Sequence, residues 1–216
     1  MLPRLRDLLK PRAKSAAPSG ETATSPTLSV PLAEQLFEQA QGLQQRGQLE
    51  EAVRLYGLVI DGIPNRAQVY YKRANALNGL GRREAALEDY DRATGLDPSY
   101  AYAWCNRGSV LQGLGRREEA LQSYDRALAL DPDDALTHYN RGSVLKDLKR
   151  LEEALASYDA AVALKSDYVE AYVNRGNVLQ ELQQRDIGTQ SLQVVHHGGV
   201  SLHRRDSKPL STPVAT

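Results

Sequence analysis

Residues 101–134 read AYAWCNRGSVLQGLGRREEALQSYDRALALDPDD, and the pattern they carry decides the fold. Trp104, Gly108 and Leu111 fall at i, i+4 and i+7, one face of a helix predicted over 101–114. Gly115 then makes a turn. Ala120, Leu121, Tyr124, Ala127 and Leu128 form the apolar stripe of a second helix predicted over 118–130. Pro132 ends it, because proline lacks an amide donor and clashes with the preceding turn. The small residues at 108 and 120 let the two helices cross closely.

Outward from this segment the same pattern returns every 34 residues from about Ala33 onward. Tyr56, Tyr90, Tyr124 and Tyr158 share one phase, with Ala52, Ala86, Ala120 and Ala154 four positions before them. Ala40, Ala74, Gly108, Gly142 and Gly176 form another series, as do Pro64, Pro98 and Pro132, with Ser166 in place of a fourth proline. Units 67–100, 101–134 and 135–168 fit closely. Unit 33–66 is weaker, with Leu36 where Trp104 stands, and 169–185 is a half unit holding one further first helix. No unit buries its apolar face alone, so stacking must supply the core. The expected fold is all-α, an α-solenoid of stacked antiparallel helix pairs over 33–185. Asp133 and Asp134 are expected to cap the helix that follows them.

The phase of Trp104, Gly108, Ala120, Tyr124, Ala127 and Pro132 resembles the tetratricopeptide repeat, a helix-turn-helix unit of 34 residues. The resemblance implies a right-handed superhelix in which the first helix of each unit lines a concave groove, where the family usually binds a protein or peptide. With Trp104, Gly108 and Leu111 turned to the core, Cys105, Asn106, Ser109 and Gly113 are expected toward that groove. The sixth and ninth unit positions supply the candidate binding residues Lys72, Asn75, Asn106, Ser109, Asn140, Ser143, Asn174 and Asn177.

Asn106, Asn140 and Asn174 form a ladder of amides, each with a donor and an acceptor, able to clasp a peptide backbone without reading its side chains. A plain solvated polar face is the alternative. A similar asparagine ladder lines the repeats of O-GlcNAc transferases, and the run Asn-Arg-Gly-(Ser or Asn)-Val-Leu looks like bacterial repeat proteins related to them. That likeness implies a second reading, the substrate-recognition arm of a truncated glycosyltransferase. Family members that grip acidic chaperone tails resemble one another in a cationic clamp. Its matching places here hold Tyr71, Asn75, Asn106, Leu136 and Asn140, so strong chaperone-tail binding is not expected.

Arg73, Arg107, Arg141 and Arg175 recur at the seventh position, and Asp91, Asp125 and Asp159 recur on the second helices. Ion pairs between helices are expected, in preference to a site for an acidic partner. The tyrosine stripe is read as core packing, not a cofactor box, and His138, in the place of Trp104, as a partly buried core residue.

Lys plus Arg and Asp plus Glu number 27 each, so the chain lacks the positive excess that draws a protein to nucleic acid. No phosphate-cradling glycine loop, His-Glu-x-x-His helix or nucleophile elbow occurs, so neither enzyme activity nor a cofactor is expected. Cys105 is the sole cysteine, which excludes an intrachain disulfide and a cysteine zinc site and fits a cytoplasmic, reducing location. No run of about 18 apolar residues occurs, so no membrane span is expected.

Residues 1–32 are expected to be a disordered tail, basic over 1–14 and Ser/Pro-rich after it, although a targeting role for the basic part stays open. After Arg185 the pattern fails and residues 186–216 are expected to be an irregular tail, with His196, His197 and His203 too loosely held for a metal. The loss of a second helix after 185 leads to the expectation of a fragment, or a disrupted reading frame, of a longer repeat protein.

Overall fold

The structure, a computed structural model, describes residues 29–201, with side chains described through Ile187. The tail predicted over 1–32 therefore lies almost wholly outside the described residues, as do His203 and the side chains of His196 and His197. The described chain is helical, with no strand. Its helices are α1 (Val30–Gln45), α2 (Leu49–Gly62), α3 (Ala67–Gly79), α4 (Arg83–Leu96), α5 (Ala101–Gly113), α6 (Arg117–Leu130), α7 (Ala135–Asp147), α8 (Leu151–Leu164) and α9 (Val169–Ser201).

The helices pair as α1·α2, α3·α4, α5·α6 and α7·α8, and each pair packs on the next. Odd-numbered helices also approach one another along the stack, whereas even-numbered helices do not. The stack therefore curves, with the odd helices on its inner side.

Turns within a pair need a left-handed residue. Gly47, Gly81 and Gly115 supply it with φ of 76°, 76° and 77°, at little steric cost. In the third of these turns the Arg116 amide returns to the Leu111 carbonyl at 2.9 Å. Lys149 takes the same place in the fourth pair with φ 61°, a conformation uncommon for a side chain. Asp134 caps α7 as expected, accepting from the Leu136 amide at 3.1 Å.

The core is the seam the repeat foretells. Tyr56, Tyr90, Tyr124 and Tyr158 are buried, and burial pushes their hydroxyls up, that of Tyr56 to about 12. Tyr124 lies flat on Gly108, where a β-carbon would stand 2.7 Å from its Cε1, and Tyr158 lies on Gly142 in the same way at 2.9 Å. Trp104 Nε1 donates to the Pro98 carbonyl at 3.0 Å, and His138 Nε2 donates to the Pro132 carbonyl at 2.9 Å. Histidine stands in for tryptophan here because its ring N–H reaches the equivalent carbonyl, which ties the first helix of these two units to the preceding loop.

One feature departs from expectation. The last helix does not stop near 185 but continues to Ser201. Residues 183–187 contain neither glycine nor proline, so nothing local breaks the backbone at the point where the packing pattern is lost. Its Gly176 has nothing within 4 Å of an added β-carbon, while Tyr172 and Val173 beside it are exposed.

Candidate functional site

The inner face is assembled from the second, sixth, ninth and twelfth positions of each odd helix, which lie on one side at helical spacing. Asn106 Nδ2 donates to Asn75 Oδ1 at 3.0 Å and to the Tyr71 hydroxyl at 3.3 Å. Asn75 Oδ1 also accepts from the Tyr90 hydroxyl at 2.5 Å. Asn174 Nδ2 donates to the Tyr139 hydroxyl at 3.1 Å, and its Oδ1 accepts from Lys146 Nζ at 3.4 Å. Asn140 makes no side-chain hydrogen bond with any described residue, although it is half-buried.

One substitution along the stack produces this difference. The residue that would meet each ladder amide from the preceding odd helix is Tyr71 for Asn106, Tyr139 for Asn174 and Cys105 for Asn140. A thiol is a weak partner, and this one is buried. Burial pushes the Cys105 thiol up, against a hydrogen bond with Thr137 that works the other way. The expectation that Cys105 lies toward the groove is therefore corrected. Its side chain joins the core between Tyr90 and Tyr124, because the fifth position points into the seam between neighbouring units.

The other candidates are placed as follows. Ser109 and Asn177 are exposed, and Lys72 is half-buried with its Nζ 5.9 Å from the Tyr71 ring centre. Ser143 accepts from Gln112 Nε2 at 3.3 Å. Sequence reading passed over Tyr102 and Leu136, which are 62% and 51% exposed at the second position of neighbouring odd helices, one turn ahead of Asn106 and Asn140. Large apolar side chains at i−4 from the asparagines were the available signal. Two ring pairs flank this strip, Tyr71 with Tyr100 at 4.8 Å and Tyr139 with Tyr168 at 5.0 Å between centroids.

The arginine row is bound to the scaffold. Arg107 pairs with Asp91 at 2.6 Å, Arg141 with Asp125 at 2.7 Å, and Arg175 with Asp159. Arg107 and Arg141 also donate to Ser123 and Ser157, at 2.6 and 2.7 Å. Arg73 differs. Glycine at 57 replaces the aspartate of the preceding unit, and Asp89 replaces the serine, meeting Nε and Nη2 at 2.6 Å each. These hydrogen bonds hold the Arg73 guanidinium further up than usual despite partial burial.

Among the described residues no cluster of three His, Cys, Asp or Glu side chains could hold a metal, and no helix is long and apolar enough to cross a membrane.

Family descriptions of the tetratricopeptide repeat match residues 105–169 and of the TPR repeat residues 74–115. No curated protein sequence matches the chain. Among solved structures, MamA from Desulfovibrio magneticus RS-1 is 22% identical with a TM-score of 0.67, covering 78% of this chain and 96% of that one. YrrB, described as a TPR protein with an unusual peptide-binding site, is 22% identical with a TM-score of 0.65, covering 71% and 79%. The first TPR of Spaghetti (RPAP3), solved bound to the HSP90 peptide SRMEEVD, is 26% identical with a TM-score of 0.56, covering 57% and 98%. Over residues 74–169 the paired helices match the tetratricopeptide repeat, and the stack as a whole shares the fold of these solved structures.

Proposed function

We propose that this chain is a protein-interaction module without catalytic activity, whose inner face binds an extended peptide or a helix of a partner protein. The observation that carries the reading is the open amide of Asn140 beside the exposed Tyr102 and Leu136. A polar group able to both donate and accept, next to apolar side chains left in water, suits a guest that brings backbone amides and one apolar side chain. Asn106 and Asn174 contribute less, because their amides are partly used within the scaffold. The peptide-binding neighbours favour the same reading by fold. Binding of an acidic chaperone tail at the usual clamp is expected to be weak, since Tyr71 and Leu136 stand where cations would be needed.

Retention of a synthetic random decapeptide library on the purified chain, read by mass spectrometry, tests this. Peptides retained by the wild type are expected to bind Asn140→Ala about tenfold more weakly, the loss of one or two buried hydrogen bonds. Unchanged retention by Asn140→Ala and by Tyr102→Ala would remove the inner face from the function.

A further inference from the structure

In two of the pairs the twelfth position of the unit meets the tyrosine of the same pair, whereas Tyr90 turns to Asn75 at the ninth. Tyr56 donates to Gln44 at 2.8 Å and Tyr124 to Gln112 at 3.2 Å, an amide oxygen accepting in each case. In the pair α7·α8 that position is Lys146, an ammonium with three donors and no acceptor. Two consequences are visible. The hydroxyl of the fully buried Tyr158 meets no amide of this kind and has only Ser143 beside it. Lys146 itself is half-buried, donates to Asn174 Oδ1 at 3.4 Å, and has no carboxylate within 4 Å among the described residues. Its neighbour Asp147 faces Arg117 at 3.7 Å.

This end of the inner face thus holds an excess of donors. A half-buried cation with no counter-ion lowers its free energy when a group rich in acceptors arrives, whereas the Tyr158 hydroxyl is closed off from any guest. The arginines Arg73, Arg107 and Arg141 already have their aspartates, and the half-buried Lys72 lies over the Tyr71 ring, whereas Lys146 has only the amide oxygen of Asn174.

Resting on the binding role of the inner face, we infer that Lys146 is a specificity determinant: it receives a carboxylate of the bound peptide, six residues along the same helix, α7, from the contact at Asn140. The usual cationic clamp falls at other positions, filled here by uncharged side chains. The carboxylate belongs either to an Asp or Glu side chain or to the peptide's C-terminus.

The experiment is a positional-scanning decapeptide library presented to the purified full chain in two forms, one with a free C-terminus and one amidated. Acidic residues should be enriched at one fixed offset from an apolar residue in both forms if the group is a side chain, or tight binding should be confined to the free form if it is the terminus. Lys146→Gln, which restores the amide found at Gln112 and gives Tyr158 an acceptor, should erase the acidic preference, weaken the selected peptide about tenfold and raise thermal stability. Its rise in melting temperature shows that the variant is folded. An acidic preference that is absent, or that survives Lys146→Gln, overturns the inference while leaving the binding role intact. Retention indifferent to Asn140→Ala, or no retention at all, overturns both.

Discussion

Replacing Asp89 by serine isolates what the arginine row contributes. Asp89 keeps only 5% of its side chain exposed and holds Arg73, itself 25% exposed, through two bonds of 2.6 Å. Removing one partner of a buried pair costs about 3–5 kcal/mol. Partial exposure of the arginine and the surviving bond to the new hydroxyl reduce the expected cost to about 2–3 kcal/mol. For a chain of this size that is a fall in Tm of roughly 4–12 °C. The second step moves the charge to where the other units keep it. A β-carbon at Gly57 would meet only Arg73 Nη1, at 3.7 Å, so aspartate fits there and faces the guanidinium. The double variant G57D/D89S reproduces the arrangement of Arg107 and Arg141 and should regain about 1–2 kcal/mol. Urea unfolding of the four proteins in the cycle, followed by circular dichroism, gives the coupling directly. Should G57D shift stability by the same amount with and without Asp89, the two carboxylates do not serve one arginine and the reasoning fails.

Glycine substitutions at equivalent positions should have opposite signs. Gly108→Ala drives a methyl to 2.7 Å from the Tyr124 ring and is expected to destabilise by about 2–3 kcal/mol, whereas Gly176→Ala enters open space in a helix and should stabilise by up to about 1 kcal/mol; thermal melts compare them. The pH profile follows from the tyrosines. Burial raises the Tyr56 and Tyr100 hydroxyls to about 12, above the value near 10 of an unfolded chain, so the folded form holds these protons longer. Stability is then whole below about pH 10 and falls as pH rises toward 12, and tyrosinate absorbance should appear together with loss of helix. Free titration of all tyrosines near 10 without unfolding would contradict the packing.

Much of this architecture was legible in the residues. The tyrosine phase, the small residues beneath it and the turn glycines report backbone and steric demands that repeat with the unit, so one copy explains the others. The pairing of Arg107, Arg141 and Arg175 was legible for the same reason. What escaped reading is what does not repeat. Cys105 breaks a run of aromatics and thereby frees Asn140, and Lys146 breaks a run of amides and thereby orphans Tyr158. Each effect falls on a residue 12 or 35 positions away, and only the stacked geometry brings those positions together. The position of Cys105 was misjudged because the fifth and sixth positions are adjacent on the helix, and the line between seam and groove passes between them.

The exchange around Arg73 also means that the units carry an address. Placed directly after the first unit, the third would set Arg107 beside Gly57 with no anion, and a second unit following a copy of itself would crowd two carboxylates about one guanidinium. Shuffled versions of this array would assemble with the same backbone and the wrong charges, so the order of its modules is written on the convex rim as well as in the core.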